Sequence, residues 1–129
     1  MSDPLMLRFE PLPSAVGRAR ETIDRFEGRL PARTIEDARL LVSELVTNSL
    51  RHASLGRDQA VEVSLSLDDR ALHVEVVDHG RGFQQRFHPA READDAGWGL
   101  FLVARLADRW GVRHDGSTCV WFEFDVADR

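Results

Sequence analysis

Residues 34–53 read TIEDARLLVSELVTNSLRHA, and the folding of this stretch decides the rest. Ile35, Ala38, Val42, Leu45, Val46, Ser49 and Ala53 recur at steps of three and four. At about 100° per residue they fall on one side of a helix. Thr34 is the expected N-cap, with Glu36 and Asp37 in the first turn, where the helix dipole favours acids. The helix is predicted to run to Ala53. Glu44 and Asn48 lie one turn apart and project from a common face, set away from the apolar stripe. An acid and an amide at this spacing admit two readings. One is a solvated pair on an exposed face. The other is an amide oxygen holding Mg²⁺ beside a carboxylate that orients or deprotonates a water or hydroxyl.

Outward from this helix, SLGRDQ reads as a loop. Val61, Val63, Leu65 and Leu67 then alternate with polar residues, the period of a half-buried strand. Leu72, Val74 and Val76 repeat the pattern, and Asp68-Asp69-Arg70 between them reads as a hairpin turn, so the two strands should be antiparallel neighbours. Towards the N-terminus, LMLRFE (5–10) reads as a strand. Ser14 is the expected cap of a helix to about Arg29, with Val16, Ala19, Ile23, Phe26 and Leu30 as its apolar stripe and Gly28 and Pro31 at its end. Phe9, Val16, Ile23 and Phe26 suit either a core or a seam between two copies.

Residues 83–96, FQQRFHPAREADDA, are polar and without period, and read as a long loop of the kind that is functional or disordered. A buried helix is predicted from Trp98 to Trp110, followed by closing strands at 112–114 and 119–126. Trp110, Trp121 and Cys119 read as core residues. The order is strand, helix, helix, strand, strand, loop, helix, strand, strand. This predicts an α+β fold, a two-layer sandwich with the helices on one face of a mixed sheet.

The 129 residues suit one domain, expected to span 1–129. All 17 basic residues are Arg, which excludes chemistry that needs a Lys: a Walker-type phosphate loop, the strand lysine of conventional protein kinases, and Schiff-base catalysis. A net charge of -5 argues against a nucleic-acid binder. Cys119 is the single thiol, so no internal disulfide forms. No apolar run has the length of a membrane helix, and the N-terminus lacks a signal-peptide pattern. A soluble cytoplasmic protein is the expectation.

Two further clusters carry chemistry. Asp78-His79-Gly80-Arg81-Gly82-Phe83 stands where a strand ends. Its glycines let the backbone approach a ligand, and its Asp can accept a hydrogen bond from an exocyclic amine. The same residues also make an ordinary turn. Gly97-Trp98-Gly99-Leu100 opens a helix, where exposed N–H groups and the dipole attract an anion such as phosphate. A glycine hinge after a long loop is the other reading.

The three clusters occur in order, and here the sequence resembles the histidine-kinase-like ATPases, the GHKL or Bergerat-fold superfamily. ELVTNSLRHA resembles its N box, DHGRGF its G1 box and GWGL its G2 box. LVARLADRWGV and VWFEF are similar to the small stand-alone branch of anti-sigma factor serine/threonine kinases. The resemblance covers about residues 10–127. It implies that Glu44 is the catalytic base, that Asn48 coordinates Mg²⁺, and that Asp78 reads the adenine amino group of ATP. It implies that Gly80 and Gly82 line the nucleotide, that Gly97, Gly99 and Leu100 lie under the phosphates, and that 83–96 is the ATP lid. It also implies a sigma factor and an anti-anti-sigma antagonist as partners, the latter phosphorylated on Ser or Thr, and a homodimer. A partner-binding module of the same fold, with ATP structural or absent, is the alternative. Two departures stand out. Cys119 occupies the position two before Trp121 where many members carry a Thr, and Asp94-Asp95 precede the G2 box, with Arg86 and Arg91 available to offset them.

Overall fold

The computed structural model describes residues 4–52, 60–78, 95–114 and 116–126. The elements are β1 (Leu5–Phe9), α1 (Ser14–Glu21) running into a 3-10 turn (Thr22–Phe26), α2 (Ala32–His52), β2 (Val61–Leu67), β3 (Ala71–Asp78), α3 (Asp95–Leu106), β4 (Arg109–His114) and β5 (Thr118–Asp125). The strands form a five-stranded sheet in the order β1-β2-β3-β5-β4. α2 packs on β3, with α1 and α3 against it.

The α+β sandwich is as the pattern predicts, but among the described residues the sheet is antiparallel at every pairing and not mixed. The reason is topological. The β3–α3–β4 crossover returns β4 in the direction of β3, and β5 then inserts between them, antiparallel to both.

Period two places the core. Val61, Val63, Leu65 and Leu67 of β2, Leu72, Val74 and Val76 of β3, and Val120, Phe122 and Phe124 of β5 are buried under the helices. Each such side chain contributes about 1.5–3 kcal/mol. Phe122 and Phe124 meet edge to face, with ring centroids 5.7 Å apart. In the turn, the Asp68 carboxylate accepts the N–H groups of Arg70 and Ala71 at 2.7 and 2.9 Å, which fixes the β2–β3 register. Phe9, Ile23 and Phe26 lie in the core, and Val16, partly buried, packs against it.

Helix ends depart from the sequence expectations for local reasons. Ser14 is the first residue of α1, and no side chain caps the helix at Pro13. The backbone carbonyls of Leu12 and Pro13 take the N–H groups of Ala15 and Val16 instead. The predicted single helix to Arg29 changes to 3-10 geometry at Thr22, whose hydroxyl donates to the Ala19 carbonyl at 2.6 Å and competes for a helical acceptor. α2 starts at Ala32, because the Pro31 carbonyl already accepts from Ile35 N–H at 3.1 Å. Thr34 is therefore a buried residue inside the helix, and Glu36 and Asp37 lie beyond its first turn. α3 stops at Leu106, short of Trp110. Asp108 pulls the chain onto β5, its N–H donating to the Glu123 carbonyl and its carboxylate accepting Asp125 N–H.

Candidate functional site

One end of the helix-covered side of the sheet gathers buried polar residues. Asp78 is the last residue of β3 and is 1% exposed. In the sheet register it stands opposite Thr118, the first residue of β5, which is 0% exposed. Period two fixes their direction. Leu72, Val74, Val76 and Asp78 form one inward row, and Phe124, Phe122, Val120 and Thr118 form its neighbour. A carboxylate and a hydroxyl thus share the core side at the ends of the two central strands.

Above them lies α2. Asn48 is 2% exposed, and its side-chain NH₂ has no hydrogen-bond partner among the described residues. The expectation of a face set away from the core holds for Glu44, which is half-buried, and fails for Asn48. α1 and α3 flank α2 and the sheet lies beneath it, so less of its circumference reaches water. A buried amide that leaves its donors unused is costly unless a ligand completes the site. Its oxygen can face a cation and its NH₂ a phosphate oxygen, so the donor set fits a nucleotide with Mg²⁺.

Gly97 and Gly99 lie near the start of α3. A helix leaves its first four N–H groups without intrahelical partners, and with the dipole these suit an anion. The Leu100 side chain is wholly buried in the core, and as the fifth and sixth residues of α3 Gly99 and Leu100 have their N–H groups inside the helical ladder, so of the three expected phosphate-facing residues only Gly97 lies in the first turn. Gly80, Gly82 and the expected lid residues 83–94 lie outside the described residues, while Asp95 and Ala96 already belong to α3.

Strand parity puts Thr118, and not Cys119, on the side of Asp78. Cys119 and Trp121 point to the opposite side of β5 from Phe122, and Thr118 is the residue beside Asp78. Counting two back gives Cys119 from Trp121 and Val120 from Phe122, so neither aromatic leads to Thr118, which lies four residues before Phe122 and next to Cys119. Trp121 is not core, being half-buried on the open face of the sheet with its ring stacked on His73 at 5.6 Å.

That open face is a ladder of paired charges. His73 lies 2.8 Å from Glu123 through Nδ1 and 2.8 Å from Glu75 through Nε2. Arg109 Nε donates to Glu123 at 2.7 Å, and Arg113 lies 3.1 Å from Glu75. Partial burial pushes the Glu75 carboxyl up, but hydrogen bonds from His73 and Arg113 outweigh it and hold it below the usual carboxylate value. Glu123 is held low in the same way, its burial outweighed by Arg109 and His73. Cys119, buried as expected, has its thiol pushed up to about 11 by burial and then by the Glu75 charge.

A sequence model of the family described as "Histidine kinase-like ATPase domain" matches residues 9–124. The chain belongs to this family. Within the histidine kinase-like ATPases, it is 30% identical over 134 residues to the serine-protein kinase RsbW of Listeria monocytogenes serotype 4a, covering 93% of this chain and 85% of that protein. The anti-sigma F factor of Clostridium acetobutylicum is 34% identical over 68 residues, covering 51% of this chain and 48% of that protein. Among solved structures, the RsbU and RsbW domains of a Mycobacterium tuberculosis protein superpose with a TM-score of 0.73 at 19% identity, covering 95% of this chain. This chain spans 32% of that solved chain, and the likeness carries the fold. Among the described residues no helix is long and apolar enough to cross a membrane.

Proposed function

We propose that this chain is an anti-sigma regulatory kinase of the cytoplasm, a single domain over 1–129 that acts as a homodimer. It transfers phosphate from Mg·ATP to a Ser or Thr of an anti-anti-sigma antagonist, and it sequesters a sigma factor. The observation that carries the reading is the buried Asp78–Thr118 pair at the ends of the central strands, with the unpartnered amide of Asn48 on the helix packed above β3.

Each residue has a role that its chemistry can perform. The Asp78 carboxylate accepts a hydrogen bond from the adenine amine, and the Thr118 hydroxyl completes that polar edge. The Asn48 oxygen holds Mg²⁺. Gly80 and Gly82 let the backbone lie against the nucleotide, and the main-chain amide of Gly97, in the first turn of α3, faces the phosphates with the helix dipole behind it. This arrangement binds a polyphosphate without the lysine that the sequence lacks. ATP, as co-substrate, supplies the γ-phosphoryl group, and Mg²⁺ screens its charge. Glu44, half-buried one turn before Asn48, takes the proton of the acceptor hydroxyl and holds its oxygen towards the nucleotide.

The test is transfer of radiolabelled γ-phosphate from Mg·ATP to purified anti-anti-sigma proteins of the source organism. Transfer by the parent chain and its loss in Glu44→Ala are expected. A chain that gains no thermal stability from millimolar Mg·ATP would be a partner-binding module without nucleotide.

A further inference from the structure

Any protein whose hydroxyl reaches Glu44 must also cover the turn of α2 beside it. Residues four apart on a helix have Cβ atoms about 6 Å apart, whereas a packed polypeptide segment is about 10 Å wide. The residue four before Glu44 is Leu40, a large apolar side chain left 40% exposed. One turn further back, Glu36 joins Leu30, Ile35 and Arg39 around a cleft of about 300 Å³ between the 3-10 turn and α2. The other exposed large apolar side chains among the described residues lie elsewhere. Met6 sits at the β1 edge on the open face of the sheet, Leu12 lies between β1 and α1, and Phe101 on α3 lies under the Arg105 guanidinium, 5.6 Å from its centroid. The open face beside β3 and β5 is a ladder of charges paired with one another.

We infer that the line on α2 from the Leu30–Ile35 cleft through Leu40 to Glu44 is the docking surface for the phosphate-accepting protein. The inference rests on the kinase reading and adds a requirement on the substrate. The acceptor carries an apolar side chain within about 6 Å of its phosphorylated hydroxyl, two residues away if the segment is extended. That side chain closes on Leu40 while the hydroxyl meets Glu44. Leu40 is thus a specificity-determining residue that touches neither nucleotide nor reacting atoms.

The experiment uses the full chain, Mg·ATP and the purified antagonist that accepts phosphate from it. Leu40→Gln keeps helix propensity and removes the apolar contact. It is expected to raise the KM for the antagonist about tenfold, while kcat and the thermal shift produced by Mg·ATP stay at parental values. Leu40→Met should restore the parental KM, and Met6→Gln, on the other side of the molecule, should leave it unchanged. An unchanged antagonist KM in Leu40→Gln, with transfer by the parent intact, would overturn the docking surface and leave the kinase reading standing. A parent chain that phosphorylates no antagonist ends the kinase reading, and the docking surface falls with it.

Discussion

Asp78→Asn tests the adenine end of the proposed site. Asp78 is 1% exposed at the end of β3 and faces Thr118 across the register. The substitution keeps the shape of the side chain and removes its charge. A hydrogen bond to a charged acceptor is worth about 1.5–3 kcal/mol, which is roughly a 10- to 150-fold change in Kd. The consequence for melting follows by linkage. With nucleotide about a hundredfold above Kd, the parent gains about 2.7 kcal/mol, and a tenfold weaker site gains about 1.4 kcal/mol. The rise in melting temperature on adding Mg·ATP should therefore fall by about half or more. Thermal denaturation with and without Mg·ATP measures it, and the unliganded melting temperature reports whether the variant folds. Mg·GTP is the internal control. Guanine presents a carbonyl oxygen where adenine presents an amine, and an asparagine amide can donate to it. The variant should therefore lose ATP without losing GTP. An Asp78→Asn chain that folds and binds ATP as tightly as the parent, or that loses both nucleotides equally, would refute the assignment.

Three other outcomes follow from the open face of the sheet. A Cβ added to Gly111 would lie 2.7 Å from Trp121 Nε1, and the indole is braced by its stack on His73. Gly111→Ala should cost about 1–3 kcal/mol in denaturant melts and change tryptophan fluorescence, and the cost should largely vanish in a Trp121→Ala background. Glu75 and Glu123 titrate below the ordinary glutamate value of 4.5, so their stabilisation is present above that value and is lost as the pH falls through the lower folded values. The acid limb of stability against pH should flatten in Glu75→Gln, and an unchanged limb would contradict the pairing. The Cys119 thiol, pushed up to about 11, should resist iodoacetamide at pH 8 in the folded chain and react on unfolding. Rapid labelling of folded protein would show that the strand does not bury it.

The sheet and its core were legible because a period of two survives in single residues. Val61 to Leu67 and Leu72 to Val76 announce both strands and their inward faces, and Asp68 marks the turn between them. The helix ends were not legible in the same way. Thr34 and Ser14 are residue types that cap helices, but a Pro31 carbonyl and the Leu12 and Pro13 carbonyls had already begun those helices. The end of α3 depends on a contact between Asp108 and β5, residues far apart in the chain. For the proposed site, the types and spacing of Glu44, Asn48 and Asp78 left a solvated pair and an ordinary turn open, and the resemblance singled these residues out. The burial of Asn48 was not legible, because it comes from the helices on either side of α2. Thr118 was not legible as a partner of Asp78, because that pairing is set by the β3–β5 register between residues far apart in the chain.

β5 takes its place between β3 and β4 last in chain order, and this sets when the proposed purine edge can form. A nascent chain that has emerged only as far as residue 114 has β3 with one bare side, a row of unsatisfied amides and carbonyls beside Asp78. Threading of the C-terminal strand both closes that side and delivers Thr118. Under the proposed assignment of Asp78 and Thr118 to the base, shortening the chain into β5 would remove half of that edge and expose an adhesive strand at one stroke.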